Sequence, residues 1–74
     1  METEIFDSEG FKEYENIAMN YLSGENGFTI DEKKSLEMFD KIKDYSKIAR
    51  IMLGFMYLKG RGGPKDPSRA RTIF

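Results

Sequence analysis

Apolar residues recur every three or four positions along most of the chain, which is the spacing of an amphipathic helix. In the first such segment Phe11, Tyr14, Ala18 and Tyr21 follow this period. No segment alternates between apolar and polar residues with a period of two, so the pattern predicts no β-strand. The sequence therefore predicts an all-α chain of about four helices.

Capping residues predict where each helix begins and ends. Ser, Thr and Asp side chains accept hydrogen bonds from the unpaired N–H groups that open a helix, and glycine adopts the left-handed conformation that closes one. Pro67 follows Asp66 and suits a first helical position, where its missing N–H costs nothing. These rules predict helices over 8–23, 31–44 (from 29 if Thr29 and Glu32 form a capping box), 46–60 and 66–74, with Gly24 and Gly60 as C-caps.

The two halves of the chain repeat each other. Six pairs of residues keep their order, at an offset of 36 positions before the inter-helix loop and 35 after it, as one extra residue in the first loop would produce. The sequence thus predicts a single domain over 1–74 with two helix-loop-helix units, about 8–44 and about 46–74, the second with a truncated last helix. The pairs are Tyr21 and Tyr57, Leu22 and Leu58, Gly24 and Gly60, Asp31 and Asp66, Ser35 and Ala70, and Phe39 and Phe74.

The second unit carries a family motif. Tyr57, Gly60, Gly62 and Asp66 fit the pattern Y-x-x-G-x-G-x-x-x-D, and the unit resembles the Sel-one-like repeat, a relative of the tetratricopeptide repeat. The resemblance implies a short right-handed α/α-solenoid and an adaptor or scaffold role in protein–protein interaction. The matching residues are Ala49, Leu53, Gly54, Tyr57, Gly60, Gly62, Asp66, Ala70 and Phe74 in the second unit, and more loosely Tyr21, Gly24, Asp31 and Phe39 in the first.

All the motif residues have structural tasks. Small residues such as Gly54 allow two helices to cross closely, and large ones such as Leu53 fill the contact between them. One position departs from the family, since Gly63 replaces the apolar residue that usually plugs the space between the helices. We therefore expect the second loop to be looser than the first, or to be closed by something outside the chain.

Composition argues against an enzyme. The chain has no cysteine and no histidine, which removes disulfides, thiolate metal sites and the commonest general base. The carboxylate pairs Asp31–Glu32 and Asp40–Asp44 lie in lysine-rich surroundings that would not raise a pKa for acid catalysis. The loop "KGRGGPK" follows a helix and lacks the order of a P-loop. We expect no catalytic activity, no cofactor and no metal.

Charge is distributed unevenly, although the net charge is only −1. Residues 1–15 hold six acids and one base, whereas residues 59–74 hold five bases and one acid. Charged residues that only interact with water at each end explain this distribution. The alternatives are head-to-tail self-association, or a partner that docks at one of the two charged ends. Nucleic acid is disfavoured, because the aromatic residues near the basic end, Tyr57 and Phe74, are assigned to the core and leave no stacking platform.

The third predicted helix is apolar on more sides than the repeat requires. Ala49, Leu53 and Tyr57 occupy the face that the motif buries, and a second apolar face lies beside it. This second face either packs on the first unit or binds a partner or a second copy. Its residues, the predicted partner-binding set, are Ile48, Met52, Phe55, Met56 and Lys59.

The predicted function is therefore protein–protein interaction as an adaptor or scaffold. The alternative is a small inhibitor that binds one protein target, for example a phage-encoded antagonist of a host defence machine, and this alternative is suggested by the length of 74 residues alone. The start "METEIFDSEG" lacks a secretory signal, and the longest apolar stretch, 51–58, is too short to span a membrane. The expected location is the cytoplasm.

Overall fold

Four α-helices form the part of the chain that the computed structural model describes, residues 10–73. They are α1 (Gly10–Ser23), α2 (Glu32–Ile42), α3 (Lys47–Lys59) and α4 (Pro67–Ile73). Each helix packs against the next one, α1 on α2, α2 on α3 and α3 on α4. Residues 10–73 contain no strand, so the all-α prediction is confirmed for them.

The predicted helix ends agree with the structure to within two residues where they can be compared. The predicted start at Ser8 and the predicted end at Phe74 lie outside the described residues. α2 ends at Ile42 rather than near Asp44. The reason is that the backbone N–H groups of Tyr45 and Ser46 both donate to the Ile42 carbonyl, which turns the chain into the cap of α3.

Side-chain caps open three of the helices. Asp31 caps α2, so the alternative start at Thr29 is wrong. In each case the capping oxygen accepts a hydrogen bond from the backbone N–H three residues later, which satisfies one of the unpaired donors of the first turn. These bonds are Lys34 N–H to Asp31 Oδ1 at 3.1 Å, Ala49 N–H to Ser46 Oγ at 3.0 Å, and Arg69 N–H to Asp66 Oδ1 at 3.1 Å.

The two helix-loop-helix segments share the same loop geometry. Gly24 and Gly60 both follow their helix with positive φ, +77° and +73°, as predicted for C-caps. The backbone N–H of each N-cap aspartate then forms a hydrogen bond with the backbone carbonyl of the tyrosine in the preceding helix. Asp31 N–H donates to the Tyr21 carbonyl and Asp66 N–H to the Tyr57 carbonyl, both at 2.8 Å. The two loops therefore close on equivalent residues.

A cation lies over the equivalent tyrosine ring in each segment. Lys34 Nζ is 5.6 Å from the centre of the Tyr21 ring, and the Arg69 guanidinium is 5.3 Å from the centre of the Tyr57 ring. Both distances are within the range of a cation–π contact. Both tyrosines are half-buried, so Tyr57 covers the edge of the core rather than filling it as predicted.

The core combines large apolar side chains with small residues at the helix crossings. Ser35, on α2, is fully buried, and its hydroxyl donates to the Ala18 carbonyl of α1 at 2.8 Å, so the polar group is satisfied where the two helices meet. Small residues at these crossings were predicted from the repeat. The fully or almost fully buried residues are Ala18, Ser35, Phe39, Ile42, Ser46, Ala49, Leu53, Met56 and Ala70, and Gly54 is buried with them.

The loop between α3 and α4 packs against the start of α2. Arg61 forms an ion pair with Glu32, with Nη2–Oε2 at 2.6 Å and Nε–Oε2 at 3.0 Å. Gly62 lies on the backbone of Glu32, where a Cβ atom would come within 2.9 Å of the Glu32 carbonyl carbon. The expectation of a looser loop at Gly63 is wrong, because Leu36 of α2 fills the adjacent space, 3.3 Å from where a Gly63 Cβ would lie.

Candidate protein interface

Four large apolar side chains line the side of α3 that faces away from the core. Ile48 is 50% exposed, Ile51 48%, Phe55 37% and Leu58 42%. Their spacings of three, four and three residues place them along one line of the helix, opposite the buried Leu53. We call these four residues the outer face of α3.

The outer face overlaps only in part with the predicted partner-binding set. Ile48 and Phe55 belong to it, and Lys59 is exposed at the end of the helix. Met56 is fully buried, so its inclusion was wrong, because it lies on the core side of α3. Met52 is partly buried and packs against the core.

Two residues of the outer face, Ile51 and Leu58, were absent from the prediction. The signal was present in the sequence as the three-four-three spacing of bulky apolar residues. The predicted set was instead based on Ile48, Met52 and Phe55. The line through these three residues is rotated by about 40° about the helix axis, from the outer face toward the core side. The alternative that these three all pack inside is also wrong for Ile48, which is half exposed.

A shallow groove extends the outer face toward α4. Its volume is about 200 Å³, and its lining residues are Lys47, Arg50, Ile51 and Ile73. Arg50 is held in place there, because its Nη1 donates to the Lys43 carbonyl at 2.8 Å. The groove is therefore lined by two cationic and two apolar side chains.

The two helices that form this surface contain only basic charged residues. α3 contains Lys47, Arg50 and Lys59 and no acidic residue, and α4 contains Arg69 and Arg71 and no acidic residue. Glu15 and Asp44 lie near the start of α3, but cations predominate along both helices. An apolar stripe bordered mainly by cations attracts an acidic molecule that also offers apolar groups.

The equivalent side of α1 has a different character. At the offset of 36 residues, Lys12 corresponds to Ile48 and Glu15 to Ile51. Lys12 is exposed, and the carboxylate of Glu15 accepts a hydrogen bond from the hydroxyl of Ser46 at the start of α3. The outer face of α3 is thus more apolar than the matching surface of α1.

Another opening, of about 400 Å³, lies at the loop between α1 and α2, beside Tyr21, Phe28 and Asp31. The Phe28 ring meets the Tyr21 ring edge-on, with 4.9 Å between centres, and Asp31 is engaged as a helix cap. The opening therefore contains packing and capping groups and no arrangement of acid, base and nucleophile.

Acidic residues do not converge on a metal site within residues 10–73, where no group of three carboxylates comes together. Asp40, which the sequence places one helical turn before Asp44, forms an ion pair with Lys43 at 3.0 Å. Among the helices of residues 10–73, none has both the length and the apolar character needed to cross a membrane.

Comparison with protein-family models, curated proteins and solved structures finds no match to this chain.

Proposed function

We propose that this chain is a non-enzymatic protein–protein interaction module, an adaptor or scaffold that binds its partner through the outer face of α3. The observation that carries the proposal is the stripe Ile48, Ile51, Phe55 and Leu58, whose four side chains are each 37–50% exposed. Contiguous apolar side chains on a small domain are typical of interaction sites, because water disfavours them unless a partner covers them.

We further propose that the two helix-loop-helix segments are stacked units of a short right-handed α-solenoid, as in the Sel-one-like repeats that they resemble. The paired loop geometry supports this proposal. Both units have a glycine C-cap with positive φ, an N-cap aspartate bonded to a tyrosine carbonyl at 2.8 Å, and a cation over that tyrosine. Six pairs repeat in order, and the tyrosine, glycine and aspartate pairs also share their local geometry, which is more than local capping preference requires.

If the units are equivalent, their caps should contribute equally to stability. We expect Asp31→Ala and Asp66→Ala each to lower the free energy of unfolding by about 1 kcal/mol, because each removes one side-chain acceptor from a helix start. Urea unfolding followed by circular dichroism measures both. Thr29→Ala is the control and should cost much less, since Thr29 caps no helix. A cost confined to one of the two aspartates would contradict the equivalence.

The repeat also indicates which surface is left uncovered. In a stack, each unit is covered by the next, and two positions of the first unit are more buried than their counterparts in the second. Leu22 is 9% exposed, but its counterpart Leu58 is 42% exposed. Met38 is 8% exposed, and its counterpart Ile73 is only partly buried. The second unit is therefore less covered at Leu58, whereas Phe55 and its counterpart Met19 are equally exposed, at 37%.

Site-specific photo-crosslinking tests the proposed function. A benzophenone amino acid is placed at Leu58, on the outer face of α3, or at the control position Glu37, which is exposed on α2. After irradiation in the cells that express the chain, we expect discrete protein adducts from position 58 and none of the same adducts from position 37. No adduct at 58, or identical adducts at both positions, would contradict the proposal.

The same experiment separates the two roles considered for an interaction protein. Several different adducts at position 58 would support an adaptor or scaffold. A single adduct with one protein, whose own activity falls when the chain is added, would support the inhibitor instead.

A further inference from the structure

The occupant of the outer face has to match both its apolar stripe and its charge. The stripe runs from Ile48 to Leu58, ten residue steps along α3, which is about 15 Å at 1.5 Å per residue. Its three-four-three spacing is that of one helix seam, and a second helix laid along such a seam inserts its own apolar residues between the four side chains. An extended strand, with side chains alternating between two faces, would bring only every second residue to this surface.

A second copy of the chain fits this surface poorly when two outer faces meet. Lys47 and Arg50 border one end of the stripe and Lys59 the other, and no acidic residue of α3 lies between them. An antiparallel pair of α3 helices would bring Lys47 and Arg50 of one copy toward Lys59 of the other, and a parallel pair would bring identical cations together. Both arrangements place like charges side by side, which costs free energy.

Head-to-tail stacking of copies is also disfavoured. α3 packs into the core through its buried side, which includes Ala49, Met52 and Met56. The residues of α1 at the equivalent positions are Glu13, Asn16 and Asn20, and the first two are exposed. A second copy that approached with α1 would place this polar surface over the apolar stripe, and burying unpaired polar groups is unfavourable.

We propose that the outer face of α3 binds an acidic amphipathic helix of a partner protein. Its apolar residues cover Ile51, Phe55 and Leu58, and its carboxylates face Lys47 and Arg50. The inference rests on the proposed function and specifies the chemistry of the partner. The groove between α3 and α4 receives one apolar side chain of the partner beside Ile51 and Ile73.

Arg50 is the cation that orients this helix. Its guanidinium already donates to the Lys43 carbonyl at 2.8 Å, so it is positioned before the partner arrives, and its remaining N–H groups can donate to a carboxylate. A preorganised side chain loses less conformational entropy on binding than a freely rotating one.

Two synthetic helical peptides test the inference. Each has fourteen residues, an identical hydrocarbon staple and leucines at positions 2, 5, 9 and 12, and the flanking positions are glutamate in one peptide and lysine in the other. Fluorescence anisotropy measures their affinity for the full chain at low and high salt. We expect the glutamate peptide to bind at least about tenfold more tightly than the lysine peptide, with an advantage that shrinks as salt screens the charges.

Two variants assign the binding to this surface. Arg50→Gln should reduce the preference for the glutamate peptide severalfold, and Phe55→Glu should abolish binding of both peptides. Met19→Glu should change neither, because Met19 lies on α1 with the same 37% exposure as Phe55. Equal affinity for the two peptides, or a glutamate preference that survives Arg50→Gln unchanged, would overturn the inference.

Failure of the inference can be distinguished from failure of the proposed function. If neither peptide binds but sedimentation shows self-association that Phe55→Glu abolishes, the partner is a second copy, and the acidic helix is wrong while the protein interface stands. If an oligonucleotide binds more tightly than the glutamate peptide and Phe55→Glu abolishes that binding, the outer face of α3 is a nucleic-acid site, and both proposals are wrong. Both proposals are also wrong if three results occur together: neither peptide nor oligonucleotide binds, the chain stays monomeric, and position 58 gives no crosslink.

Discussion

Gly62→Ala is expected to remove a large part of the stability of the domain, about 3 kcal/mol. Two causes add. Gly62 has φ of +84°, a conformation that costs an alanine about 1–2 kcal/mol. The new Cβ would also lie within 2.9 Å of the Glu32 carbonyl carbon and 3.1 Å of Leu36 Cβ, so the loop would have to move away from α2. Urea unfolding followed by circular dichroism measures the loss.

Gly27→Ala is the matched control for this prediction. Gly27 has a similar φ of +82°, but no atom lies within 4 Å of the position where its Cβ would be. Gly27→Ala should therefore cost only the same conformational penalty, about 1–2 kcal/mol. Equal losses for the two variants would show that the contact between the α3–α4 loop and α2 contributes nothing.

The contact at Gly62 matters for the proposed function because it joins the two helix-loop-helix units. Gly62 and Arg61 follow α3, and both meet Glu32 at the start of α2. The ion pair is partly exposed, so its own contribution is small, about 1 kcal/mol or less. The backbone contact is the stronger constraint, and it fixes α3, with its outer face, relative to the first unit.

Local sequence signals predicted the helices well. Asp31, Ser46 and Asp66 open helices and Gly60 ends one, as the capping rules indicate. These features depend on hydrogen bonds within three or four residues, which a sequence displays directly. The small residues at the helix crossings were also predicted, because the repeat indicates the positions at which two helices approach closely.

Contacts between the units were not predicted, because they depend on residues far apart in the chain. Gly63 looked like an unfilled position, and only the structure shows that Leu36 fills the space beside it. For a similar reason, the predicted partner-binding residues lie about 40° around the axis of α3 from the outer face. The three-four-three spacing was visible in the sequence, but Met52 and Met56 also recur at helical spacing, and only the packing of α3 shows that Met56 is buried and Met52 partly buried.

Phe55→Glu is expected to abolish partner binding and leave the domain folded. Phe55 is 37% exposed, so a glutamate can reach water, and we expect the free energy of unfolding to fall by about 1 kcal/mol. Binding should suffer far more, because the new carboxylate lies at the centre of the apolar stripe, where a partner would strip it of water. A central aromatic residue is the kind that dominates interface energetics.

Met19→Glu provides the control for stability and for charge. Met19 occupies the equivalent position of α1, has the same 37% exposure, and acquires the same carboxylate. The two variants therefore have the same net charge and a similar cost in folding. They differ in whether the substitution lies on the outer face of α3.

Quantitative capture of partner proteins with the two variants, side by side in the cells that express the chain, tests the central claim most directly. Mass spectrometry compares the recovery of each captured protein with that of the unsubstituted chain. We predict that Met19→Glu retains the partners and that Phe55→Glu recovers about a tenth or less of each. Equal recovery with both variants, at equal levels of folded protein, would contradict the claim that the outer face of α3 is the binding surface.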